Sequence, residues 1–163
     1  MKMDFGVFPV QLSDYLSENL IFLDLDADDK YHAFKTMVAR MAKQNVIAEP
    51  ATFLNEVIAR ENIEPTCIGR GIALPHTRTL CVKKPIIAFA RTNQSISFTQ
   101  TRNDGVQLIF MMGTPKDEAN QYLQILARLC RLLRRSEFRE KLLTASSPKE
   151  ILKLFDEFDT PLN

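Results

Sequence analysis

The chain has 163 residues, 45% of them apolar and 25% charged, a length and balance at which one domain can bury roughly two thirds of its unfolded surface. Its 21 Lys+Arg against 20 Asp+Glu leave a formal net charge of +1, which argues against a polybasic nucleic-acid binder and against a disordered acidic tail. No uninterrupted apolar run exceeds five residues, where a membrane-spanning helix needs about 20. The amino terminus also lacks the basic start, apolar stretch and small-residue cleavage site of a signal peptide, so a cytoplasmic protein is expected.

No Pro/Gly/Ser-rich linker, charge block or internal repeat divides the sequence, which reads as one domain over residues 1–163. In 28–43, Tyr31, Phe34, Met37, Val38 and Met41 recur at helical spacing, with Asp26 or Asp28 available to accept N–H bonds at the start. Pro50 opens a second helix running to about residue 61, with Leu54, Val57 and Ile58 on one face. Residues 62–70 read as a loop leading to a short strand, 71–74, that stops at Pro75. Strands are expected at 85–91, 95–101 and 106–112, the last two joined by a tight turn at Asp104-Gly105. Helices follow at 118–135, 137–143 and 148–158, the last opened by the reciprocal capping sequence Ser147-Pro148-Lys149-Glu150. Helices before and after strands imply an α/β sandwich, a mixed sheet covered by helices on both faces.

Three cysteines, Cys67, Cys81 and Cys130, form no CxxC, and there are two histidines, so neither a disulfide framework nor a structural metal is expected. His32 lies on the first helix, beside an apolar position, and reads as a surface residue. His76 ends the stretch Gly69-Arg70-Gly71-Ile72-Ala73-Leu74-Pro75-His76, in which two glycines permit close backbone approach and Pro75 stiffens the strand end. This spacing suits a structural histidine bonded to a backbone carbonyl. It also suits a nucleophilic imidazole, with Arg60, Arg70 and Arg78 close in sequence to neutralise an anionic group. A neutral ring held by one nitrogen can attack phosphorus with the other. A Cys67/His76 thiolate pair is a rival with no third orienting group.

Arg60-Glu61, Thr66 and Gly69 through Arg78 resemble the active-site stretch of the fructose/mannitol-type enzyme IIA domains of the bacterial phosphoenolpyruvate-dependent phosphotransferase system, the stand-alone nitrogen-regulatory type above all. The resemblance covers nearly the whole chain, including Leu123-Gln124-Ile125-Leu126. It implies that His76 accepts phosphate on Nε2 from an HPr-type phosphocarrier protein, with Arg60 beside it and no cofactor. Thr66, Arg70, Gly71 and Arg78 are expected on the phosphate- and partner-binding surface. One position departs: where family members commonly carry a second histidine, seven residues after a proline, this chain has Tyr122. Tyrosine, or Gln121 beside it, can donate a hydrogen bond but carries no imidazolium charge. The expected role is a regulatory histidine phosphocarrier. A sugar-transport IIA subunit and a non-catalytic or weakly phosphorylated binding module are the rivals.

Overall fold

The computed structural model describes residues 11–99 and 105–159. Two 3-10 turns, Leu12–Tyr15 and Glu18–Leu20, lead into strand β1 (Ile21–Leu25), for which the sequence offers no separate expectation. Its five residues are too few and too apolar to display a period. Helix α1 (Lys30–Ala42) is capped by Asp29 and not by Asp26 or Asp28: the Asp29 carboxylate accepts the His32 N–H at 2.8 Å. Helix α2 (Pro50–Ile63) carries Pro50 in its first turn and buries Phe53, Val57 and Glu61, while Leu54 and Ile58 pack at the rim of the same core.

The expected loop 62–70 contains half of a hairpin. Strand β2 (Cys67–Gly69) turns through Gly69-Arg70-Gly71, all three at positive φ, into β3 (Ile72–Ala73). That strand ends before Pro75, as expected, but pairing resumes beyond it, where β4 (His76–Thr79) runs along the same neighbour. Ile72↔Leu108 and His76↔Met112 keep one register, and the Pro75 carbonyl accepts the Met112 N–H at 2.9 Å. An edge strand tolerates the one donor that proline lacks. The expected strands 85–91 and 95–101 are a single strand, β5 (Ile86–Ser97), whose register shifts between Arg91 and Ile96 where Asn93, Gln94 and Ser95 are exposed. It pairs antiparallel with β6 (Gly105–Pro115), as expected, although Asp104 of the expected turn lies outside the described residues.

Helices α3 (Ala119–Leu133), α4 (Ser136–Thr144) and α5 (Pro148–Phe158) complete the chain. At the α5 cap Ser147 Oγ accepts the Glu150 N–H at 3.2 Å, but the Glu150 carboxylate takes the N–H of Ser146 instead of closing the expected reciprocal box. The mixed sheet has the order β1-β5-β6-β3-β2, with β4 also on β6. Side chains alternate between two cores. Phe34, Met37, Phe53 and Met111 lie beneath α1 and α2, whereas Phe89, Phe110, Met112, Phe138 and Phe155 lie beneath α3, α4 and α5. The expected α/β sandwich, helices on both faces of a mixed sheet, is the observed architecture.

Candidate functional site around His76

His76 opens β4 opposite Met112, whose side chain belongs to the core beneath α3, so the imidazole stands on that face of the sheet edge. Its Nδ1 lies 2.7 Å from the Leu74 carbonyl oxygen. A carbonyl only accepts, so Nδ1 carries the hydrogen and the ring's lone pair is on Nε2. The ring is half-buried, and Tyr122, from the second turn of α3, lies with its ring centroid 5.6 Å away. Burial pushes the His76 pKa below the usual 6.5, the bond to Leu74 opposes this, the Arg60 charge lowers it further and Glu61 raises it. A neutral imidazole with one nitrogen held is a nucleophile aimed by the backbone.

Arg60 occupies the last turn of α2 and donates from Nη1 to the Glu64 carbonyl at 2.8 Å, closing the helix end while its charge acts on His76. Arg78 shares the face of His76, two residues on. Its Nη2 donates to the Lys116 carbonyl at 2.6 Å and ties β4 to the connection before α3. Thr66 is buried, and both its N–H and its hydroxyl donate to the Glu61 carboxylate. Gln121 is occupied, its amide donating to the Tyr15 hydroxyl at 3.0 Å.

Arg70 and Gly71 are not brought beside His76. They form the β2–β3 turn, six and five positions back along extended chain, a span of about 16–20 Å. Arg70 donates there to the Arg134 carbonyl at the far end of α3. The Cys67/His76 pair is ruled out by geometry, because Cys67 packs against the α1/α2 core and His76 stands on the opposite face. His32 is exposed, as read, and accepts the Asp28 N–H at 3.2 Å.

Two features escaped the sequence reading. Glu61 is 1% exposed, takes both donors of Thr66 and receives Lys30 Nζ at 3.0 Å, while Lys30 also donates to the Phe98 carbonyl. The signal was present: Glu61 continues the buried i, i+4 stripe Phe53–Val57, and a carboxylate there must be paired. Thr114, opposite Arg78 on β6, is fully buried, and its hydroxyl finds no hydrogen-bond partner among the described residues.

Residues 14–158 match the family described as "Phosphoenolpyruvate-dependent sugar phosphotransferase system, EIIA 2", and the chain belongs to that family, whose chemistry is phosphoryl transfer through a histidine. Among its relatives, the fructose-specific EIIABC component of Bacillus subtilis is 29% identical over 92% of this chain, which spans only 24% of that protein's length. The nitrogen regulatory protein of Bradyrhizobium diazoefficiens is 29% identical over 80% of this chain and 85% of its own. The crystal structure of the nitrogen regulatory protein IIA-Ntr from Neisseria meningitidis superposes with a TM-score of 0.81 at 27% identity, covering 88% of this chain and 97% of that one. Among the described residues no helix is long and apolar enough to cross a membrane.

Proposed function

We propose that His76 is a phosphoryl acceptor in a cytoplasmic regulatory phosphocarrier, charged by an HPr-type donor protein. The Nε2 lone pair forms a bond to phosphorus as the N–P bond of the donor's phosphohistidine breaks, and the donor imidazole leaves with that electron pair. Arg60 and Arg78 offset the charge on the phosphoryl oxygens, and Tyr122 offers them one hydrogen bond. The observation that carries this reading is the bond from Nδ1–H to Leu74, which leaves the outer nitrogen of a neutral ring unprotonated. Thr66 supports the site through Glu61, while Arg70 and Gly71 serve as partner contacts away from the phosphate.

A nitrogen regulatory protein and a fructose-like EIIA component match over similar shares of both lengths, and the reading as a regulator is supported by the TM-score of 0.81 to the nitrogen regulatory protein IIA-Ntr. Incubation with phosphoenolpyruvate, enzyme I and HPr-type carriers should add one acid-labile phosphate that is absent from His76→Ala. No label with any carrier contradicts the reading.

Tyr122 beside His76 favours a second reading, a binding module whose phosphorylation is weak or absent. That module would hold its partners equally well in His76→Asp, whereas a change of about tenfold in affinity, ~1.4 kcal/mol, supports the phosphocarrier.

A further inference from the structure

Two residues directly opposed in a hydrogen-bonded antiparallel pair normally exchange two bonds, each N–H reaching the other's carbonyl. Thr66 and Leu74 stand in that relation at the open end of the β2–β3 hairpin, one step beyond Cys67↔Ala73, and the Leu74 N–H donates to the Thr66 carbonyl at 3.0 Å. The return bond is diverted. The Thr66 N–H goes to the two carboxylate oxygens of Glu61, at 3.2 and 3.1 Å, and the Thr66 hydroxyl adds a third contact at 2.6 Å. The Leu74 carbonyl instead takes the Nδ1–H of His76. Pro65, the next residue outward, has no N–H to compete for it.

The geometry points to Glu61 as a positioning residue for the chemistry at His76: by capturing the Thr66 N–H it reserves the Leu74 carbonyl for the imidazole, and so holds the tautomer whose lone pair is on Nε2. A carboxylate does this because a charge-assisted hydrogen bond is roughly twice as strong as a neutral one, so the N–H prefers Glu61 to a peptide carbonyl. Glu61 is itself fixed from two other elements, since Lys30 of α1 reaches both its carboxylate and the Phe98 carbonyl beyond β5. The two ends of the relay lie on opposite sides of the edge strand, α1 and α2 on one and the imidazole with Tyr122 on the other. The role rests on the reading of His76 as a phosphoryl acceptor.

The test is the double variant Lys30→Met/Glu61→Leu, which replaces a buried ion pair with apolar side chains and leaves no stranded charge. In it the Thr66 N–H is free to return to the Leu74 carbonyl. The imidazole nitrogen shifts of His76 should move from the Nδ1–H tautomer toward a mixture. The transfer rate at saturating carrier should fall by about tenfold or more, with the half-saturating carrier concentration little changed, as when a group orienting a working histidine is removed. A folded double variant with the wild-type imidazole spectrum and rate overturns the proposal. Should that variant not fold, Glu61→Gln decides: its neutral oxygen competes less well for the N–H, so a smaller shift in the same direction is expected, and an unchanged spectrum overturns the role. The spectrum requires no phosphate, which separates this outcome from a failure of wild-type His76 to become phosphorylated.

Discussion

The ring of Tyr122 lies with its centroid 5.6 Å from that of His76, the two planes inclined at 38°. It comes from the start of α3, which three residues separate from the end of β6, and the two rings lie near each other at the edge of the sheet. Tyr122→Phe keeps the ring and removes the hydroxyl. The fold should be unchanged and the transfer rate should fall about three- to tenfold, the worth of one hydrogen bond in the transition state. Single-turnover transfer from a phosphorylated carrier measures it, and an unchanged rate would assign Tyr122 to packing alone.

The pH dependence follows from the environment of His76. Burial, reinforced by Arg60, lowers the folded pKa below 6.5, whereas the unfolded chain binds its proton near 6.5. Between those two values the unfolded state holds more protons, so stability rises with pH across the window. The contribution of His76 is complete above about 6.5 and is lost as pH falls through the folded pKa. An NMR titration should place the His76 midpoint below 6.5, and the rate of phosphoryl acceptance should fall as the ring takes up its proton at that same midpoint. A midpoint at or above that value would contradict the neutral, shielded ring.

Gly113 has no side chain because Phe53 occupies the space. A Cβ there would lie 2.8 Å from Phe53 Cε1 and 3.5 Å from Val82 Cγ1. Phe53 belongs to α2, the helix whose last turns carry Arg60 and Glu61, so the packing of this pair sets how the helix sits against β6. Gly113→Ala should cost about 1–3 kcal/mol by overpacking, read as a lower midpoint in chemical denaturation. An unchanged midpoint would mean that the Phe53 ring shifts without penalty.

Thr114 buries a hydroxyl with no partner among the described residues. Leaving such a group unsatisfied costs about 1–3 kcal/mol, so Thr114→Val, nearly equal in shape, should raise stability by about 1 kcal/mol or more. Thermal unfolding of the two proteins decides the sign, and a loss of stability would show that the hydroxyl is bonded.

The helices of this protein were legible because their apolar stripes are long and their starts are marked. Pro50 and Ser147-Pro148 open α2 and α5 where expected. Helix α3 also forms where the stripe Leu123, Leu126, Ala127, Cys130 and Leu133 points, but of these only Leu133 is buried, and the buried face runs instead through Ile125, Leu129 and Leu132. The strands were less so. β1 is too short for a period, β2 hides in a segment punctuated by Pro65 and Gly69, and Pro75 marks the end of β3 as expected but gives no sign that β4 resumes beyond it in the same register. Of the candidate site, residue type and family resemblance pointed to His76, Arg60 and Tyr122, and the structure brings the Tyr122 ring and the Arg60 charge to His76. The parts that orient them could not. The acceptor for Nδ1–H is a main-chain carbonyl, which no residue type announces, and its availability depends on a carboxylate in a different element. Arg70 lies away from His76 although it is close in sequence, because the intervening chain is extended.

The central claim is that a backbone bond at Nδ1 leaves Nε2 of His76 to receive the phosphoryl group. Phosphorus and nitrogen NMR of the protein phosphorylated through enzyme I and an HPr-type carrier tests it most directly, with specifically labelled histidine. The account predicts one phosphohistidine, bonded at Nε2 of His76, with Nδ1 still protonated. Phosphate on Nδ1, on His32, or on no histidine at all would contradict it.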